Sequence, residues 1–230
     1  MTVARVYLVR HGETESNRQE IVQGQLDTAL NEQGLNQAKI LGLALKDIPF
    51  DLGYSSDLSR ASKTAEIILS HHPKVPLLQR AQLRERHLGQ LQGKTYAEKR
   101  AAVNINNDPT AEAGDVFLKR GLEWWDEMVT EAAQVGAANV LAVSHGGFIS
   151  TLVKGLLRNG KVTSEMADGG QNLWKCWNCS ITSIDIDLET AAATLIKYGD
   201  TAHLDGKFKM VESNVDVQAE EAADAAASKE

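Results

Sequence analysis

Apolar residues from Val3 to Val9 form a nearly continuous run, broken once by Arg5 and rich in β-branched and aromatic types. Such a run reads as a buried strand of a parallel sheet. Residues 15–27 are polar and read as a loop. Leu35, Ala38, Leu41 and Leu45 then recur at helical spacing, with Thr28 or Asn31 available as a cap. Residues 50–55 make a second short strand. Ser56-Asp57-Leu58-Ser59-Arg60 opens a second helix carrying Ala61, Ala65, Ile68 and Leu69, which stops at His72-Pro73. Residues 75–78 make a third strand. Residues 95–130 read as helix with a break over 104–114, where Asn107-Asp108-Pro109 marks a loop. Residues 140–143 make the fourth strand, followed by a helix through Phe148, Leu152, Val153 and Leu156 that ends at Arg158-Asn159-Gly160. Residues 180–187 and 193–198 alternate as paired strands around Leu188-Glu189-Thr190.

Strands alternating with helices are the mark of an α/β fold. A chain of 230 residues can bury one full core, and no internal repeat divides it. Residues 1–210 therefore read as one domain, and 211–230 as an acidic, alanine-rich tail without packed structure. Glu212, Asp216, Glu220, Glu221, Asp224 and Glu230, against Lys229, put five of the seven net negative charges in that tail. No basic stripe points to nucleic acid, so an anionic ligand needs a local cluster of cations. No apolar run approaches the roughly 20 residues of a membrane span. The first strand begins almost at once, so no targeting peptide is expected, and the expected location is cytoplasmic. Oligomeric state is not legible, a homodimer being one option.

Cys176 and Cys179 form a C-x-x-C, a spacing shared with redox pairs and zinc half-sites. No second such motif and no following helix start accompany it. Strand neighbours three apart point to opposite faces, so two unrelated thiols are expected.

The chemistry gathers after the strands. Arg10 and His11 follow the first, Arg60 lies one turn past the second, Glu85 follows the third, and His145 follows the fourth. A doubly wound sheet brings all five to one edge, where such folds bind ligands. Taken singly, Arg60 could be an ion-pair partner on a helix face. Glu85, between Arg84 and Arg86, could be a solvated ion pair. Jointly they suit phosphoryl transfer from a monoester. Arg10 and Arg60 supply fork-like donors for a phosphate dianion. His11, kept neutral by neighbouring cations, is the candidate nucleophile, with Gly12 giving room for approach. Glu85 is the candidate acid for the leaving alkoxide, and His145 would bond the phosphoryl oxygens as charge builds. A metal at His11, His145 and Glu85 would be repelled by the two arginines.

Four segments carry a resemblance: Leu8-Val9-Arg10-His11-Gly12-Glu13-Thr14 with Asn17, Ser55-Ser56-Asp57-Leu58-Ser59-Arg60-Ala61, Leu83-Arg84-Glu85-Arg86, and Val143-Ser144-His145-Gly146-Gly147. In order and spacing they resemble the histidine phosphatase superfamily, or phosphoglycerate mutase-like family, over nearly the whole chain to Gly206. The resemblance implies a three-layer α/β/α sandwich with a mostly parallel central sheet. It implies a phosphohistidine on His11, a phosphate pocket of Arg10, Arg60 and His145, proton donation by Glu85, and no metal or organic cofactor. Asn17, Gln23, Gly24 and Gly146 are expected beside phosphate or substrate.

The superfamily holds both mutases and phosphatases. Leu88 where the mutases carry Tyr, no Arg-Arg pair within 101–114, and Gly147 where they carry Asn favour a phosphatase. Gln23-Gly24-Gln25 and Leu91-Gln92-Gly93-Lys94 are similar to fructose-2,6-bisphosphatase-like and broad-specificity members. The expected partner is thus a small phosphorylated metabolite, such as a sugar phosphate. Arg84, Arg86 and Lys94 are candidates for a second phosphate. A cofactor-dependent phosphoglycerate mutase and a catalytically silent phosphate-binding regulator remain the alternatives.

Overall fold

The first apolar run is the centre of the molecule because it is hydrogen-bonded on both edges and covered on both faces. In the computed structural model, which describes residues 3–95, 98, 108–166, 176–206 and 208, strand β1 (Val3–Arg10) pairs in parallel with β4 (Asn139–Ser144) and antiparallel with β6 (Ile181–Asp187). Ala4, Val6 and Leu8 on one face and Val9 on the other are fully buried and apolar, while Arg5, near the start of the second face, is exposed and pairs with Asp185. With β2 (Leu52–Ser55), β3 (Leu77–Gln79), β5 (Val162–Ser164) and β7 (Ala193–Asp200), the described residues form a seven-stranded sheet ordered β3-β2-β4-β1-β6-β7-β5. Only β6 in that sheet runs against its neighbours.

Helices cover both faces. Helix α4 (Gly114–Val135) and helix α5 (Gly146–Arg158) pack Trp124, Met128, Phe148 and Leu152 onto Val6, Leu8, Val140 and Ala142. Helix α2 (Glu32–Leu45) and helix α3 (Ser59–Leu69) pack Leu41, Ala61, Ala65 and Ile68 onto Val9, Leu141 and Val143. The alternation of Val140 and Ala142 with Leu141 and Val143 between the two cores is the two-residue period of β4. The three layers expected from the resemblance are present. Cys176 lies in the first core and Cys179 in the second, and neither is in a disulfide. They are the two unrelated residues the spacing suggested.

Local differences from the sequence pattern have physical causes. The polar stretch 15–27 is not all loop, because Thr14 and Asn17 form a reciprocal capping box that starts the four-residue helix α1 (Glu15–Arg18). Asn31, not Thr28, caps α2, its Oδ1 accepting the Gly34 N–H at 2.8 Å. Helix α3 begins at Ser59, where Asp27 caps from outside the helix by accepting the Ser59 N–H at 2.7 Å. The third strand shifts to Leu77–Gln79 to pair with Gly53, Tyr54 and Ser55. Strand β5, three residues long beside β7, has no sequence signature of its own. Helix α4 runs five residues past 130 and ends where Gly136 turns left-handed at φ 64°. The break expected over 104–114 lies partly, and the tail 211–230 wholly, outside the described residues.

Candidate active site

Because β1, β2, β3 and β4 are parallel, their carboxyl ends share one edge of the sheet. The antiparallel β6 brings its amino end, with Asn178 and Cys179 just before it, to that same edge. The turn after β1 is held by backbone: His11 N donates to Ser144 O at 3.0 Å, and Cys179 N donates to Arg10 O at 3.0 Å. Asn178 Nδ2 donates to His11 O at 3.0 Å. Gly12 and Gly34 let the start of α2 press on this turn. A Cβ on Gly34 would stand 2.0 Å from the Glu13 carbonyl oxygen, and one on Gly12 would stand 2.5 Å from that of Gly34.

His11 is buried, and its Nδ1 lies 2.7 Å from Gly12 O. A carbonyl oxygen only accepts, so Nδ1 carries the proton and Nε2 keeps its lone pair. Arg60 Nε donates toward that Nε2 at 3.3 Å. Burial above all, then the charges of Arg60 and Arg10, hold the His11 imidazole well below its ordinary value of 6.5, against the opposing pull of the Gly12 carbonyl. His145 packs edge-on against it, ring centroids 5.2 Å apart. Burial, Arg60, His11, Arg10 and Arg120, in that order, hold His145 well below 6.5 too. Both imidazoles are therefore neutral at neutral pH.

Arg60 is wholly buried and oriented by the loop before α2. It donates to Leu26 O at 2.7 Å and to Gly24 O at 2.8 Å. Arg10 donates from Nη1 to Cys176 O at 2.8 Å. Among the described residues, Arg10 Nε and both ring nitrogens of His145 are buried with no hydrogen-bond partner. Such groups are costly unless the site is built to receive a ligand.

Glu85 is 2% exposed, and it is not the solvated ion pair that its neighbours allowed. Its Oε2 accepts the Gly147 N–H at 2.9 Å, and its Oε1 accepts the Arg86 N–H at 3.0 Å. Arg84 turns away to Asp57, donating from Nε at 2.7 Å, while Arg86 is buried with Nε on Glu112 O at 2.8 Å. Arg86 is thus no surface cation, whereas Arg84 is a partly exposed one paired with Asp57.

The structure thus brings Arg10, His11, Arg60, Glu85 and His145 to one buried edge. The four further candidates stand differently. Asn17 Oδ1 accepts from the Thr14 backbone N–H at 3.1 Å and from Asn178 Nδ2 at 3.3 Å, which makes it part of the frame. Gln23 Oε1 accepts the hydroxyls of Thr14 and Thr28 at 2.9 and 2.6 Å. Gly24, at φ +53°, presents its carbonyl to Arg60. Gly146 is buried as the first residue of α5. Sequence reasoning missed Arg120, Glu112 and the positioning part of Gly147. A glycine inside a helix start was a readable signal for the last of these, whereas nothing in sequence links 112 or 120 to Glu85.

A parallel-sheet edge carrying two neutral imidazoles, two buried guanidinium groups and a buried carboxyl group defines an α/β protein built to bind and transform a small anion. The sequence profile of the histidine phosphatase superfamily (branch 1) matches residues 6–199, and the chain belongs to that superfamily. It is 32% identical over 217 residues to a broad-specificity phosphatase of Saccharomyces cerevisiae, covering 90% of each chain. Among solved structures it is similar to a phosphoglycerate mutase from Bacillus anthracis, with TM-score 0.73 and 31% identity over 88% of this chain and 95% of that one. A mycobacterial glucosyl-3-phosphoglycerate phosphatase superposes with TM-score 0.72 at 27% identity, covering 86% of this chain and all of the other.

Proposed function

We propose that this protein is a phosphatase that hydrolyses small phosphomonoesters, sugar phosphates among them, through a phosphohistidine on His11. The observation that carries the reading is the His11 ring, whose Nδ1–H is spent on Gly12 O while Nε2 keeps its lone pair beside Arg60.

Arg10, Arg60 and His145 take the phosphoryl oxygens, as their buried donors suit a dianion. His11 Nε2 forms the N–P bond as the ester P–O bond breaks. The bond's electron pair leaves on the alkoxide, which Glu85 protonates. Glu85, now a carboxylate, takes a proton from water as the water oxygen attacks phosphorus. The P–N bond breaks back to the Nε2 lone pair, and inorganic phosphate leaves. Asn17, Gln23, Gly24 and Gly146 shape the wall around this pocket. Kinship to a broad-specificity phosphatase and to a phosphatase of a glucosylated phosphoglycerate supports hydrolysis of a small phosphorylated metabolite.

The likeness to the phosphoglycerate mutase gives the second reading, transfer to a retained intermediate. Phosphate release from p-nitrophenyl phosphate, fructose bisphosphates and phosphoglycerates, by wild type and His11→Ala, decides between them. Release that vanishes in the variant, with an acid-labile phosphate trapped on wild type, supports the phosphatase. Interconversion of phosphoglycerates with little release supports the mutase. Silence from folded protein on every substrate leaves a binding protein and overturns both.

A further inference from the structure

Glu85 sits on a stretch of chain with no regular structure, between the short helical turn Ala81–Leu83 and Leu88. Its backbone therefore depends on ties from elsewhere, and the main tie comes from α4. Arg120 Nη1 donates to Gln82 O at 2.8 Å and to Arg84 O at 2.7 Å, and Nη2 donates to Glu85 O at 2.9 Å. The same guanidinium grips Glu112 in bidentate fashion, Nε to Oε1 at 2.7 Å and Nη2 to Oε2 at 2.9 Å. Glu112 then holds the far side of the segment. Its Oε2 accepts the His87 N–H at 3.2 Å, its backbone N–H donates to His87 O at 2.8 Å, and its carbonyl accepts Arg86 Nε. The guanidinium lies 4.7 Å from the Phe117 ring centroid and 5.9 Å from that of Phe148. The side chains of Arg120 and Glu112 are only 16% and 13% exposed, so solvent competes weakly for these bonds.

We propose that Arg120, locked by Glu112, is a positioning residue that sets where the Glu85 carboxyl group meets the leaving group of the substrate. This rests on Glu85 being the proton donor. Three carbonyls and a carboxylate met by one planar cation is a pattern that lysine cannot reproduce, since its ammonium is a compact point charge. The Arg120 hydrogen bonds all go to Glu112 and the 82–85 backbone, and none goes to Arg10, His11, Arg60 or His145; beyond the reach of its charge to His145, its hold is on Glu85.

A positioning role at Arg120 leaves a signature that a role in folding alone lacks. A donor matters for a poor leaving group and hardly at all for a phenolate that departs unaided. Arg120→Lys, Glu112→Gln, Glu85→Gln and wild type are compared by kcat/KM on an alkyl phosphate and on 2,4-dinitrophenyl phosphate. This ratio covers steps up to phosphorylation of His11 and leaves out the later hydrolysis. Arg120→Lys is expected to lose about 10²-fold on the alkyl ester, within the range of acid catalysis, and only a few-fold on the dinitrophenyl ester. Glu112→Gln shifts the same way by a smaller factor, and it carries the test if Arg120→Lys does not fold. Equal losses on both esters, or no loss on either, overturn the proposal. Glu85→Gln separates the two readings. If it shows the leaving-group bias and the Arg120 and Glu112 variants do not, the positioning role fails alone. If it shows no bias, the assignment of Glu85 fails first.

Discussion

The Glu85 carboxyl group rests on the first turn of α5, its Oε2 accepting the Gly147 N–H at 2.9 Å while His145 stands two residues earlier. A helix start offers unsatisfied N–H groups, and Glu85 uses one of them as its anchor. Glu85 and His145, the proposed proton donor and phosphoryl ligand, are thus fixed to the same piece of backbone.

That contact predicts the effect of Gly147→Ala. A methyl there would stand 2.6 Å from Glu85 Oε1, so the carboxyl group has to move. Alanine's preference for helix over glycine, about 0.8–1 kcal/mol in a helix interior, works against the cost of moving the buried carboxyl group, so the net change in stability should be small. Misplacing a reacting group by about 1 Å costs on the order of 10²-fold in rate. We expect kcat/KM on alkyl phosphates to drop by about that factor with the melting temperature nearly unchanged. Full activity would mean that the position of Glu85 is not critical.

The two depressed histidines make stability depend on acid. Both titrate well below 6.5 in the fold and near it when unfolded. Above 6.5 they are neutral in both states and stability is whole. As pH falls below 6.5 the unfolded chain binds protons that the folded one refuses, so stability declines until the folded values are reached. Each histidine contributes up to about a tenfold loss in the folding constant per pH unit. Denaturant melts of His145→Asn between neutral and mildly acid pH should therefore show a shallower decline than wild type. Parallel curves would contradict the buried, neutral state of His145.

Arg10 Nε and the His145 ring, without hydrogen-bond partners among the described residues, predict anion binding without turnover. Inorganic phosphate should raise the melting temperature of wild type, by about 2.7 kcal/mol of stability at a hundred times its Kd. Arg10→Gln, which removes the cation and keeps a polar side chain, should lose most of that gain. A phosphate response of equal size in both proteins would place the anion elsewhere.

The local pattern along the chain already determined much of this. A strand that buries positions against two helical layers, as β1 does at Ala4, Val6, Leu8 and Val9, reads as a nearly continuous apolar run, and a helix packed on one side has to repeat near every 3.6 residues. Those constraints made β1, β4, α2, α3 and α5 legible, with the polar residues that follow each strand. Candidate chemistry at Arg10, His11, Arg60, Glu85 and His145 followed from their positions after strands, their residue types suggested the roles, and family resemblance implied the same ones. Short elements were not legible. Strand β5 has three residues, too few for a period, and α1 exists because Thr14 and Asn17 cap each other. The tertiary structure alone decided what Glu85 touches. Between Arg84 and Arg86 it looked like a surface ion pair, yet Arg84 is drawn off to Asp57 and Arg86 to Glu112. Gly147 and Arg120 reach Glu85 across 62 and 35 residues of chain. Side chains that meet only after the helices pack on the sheet leave no periodic trace, so such contacts become visible in the fold and not before it.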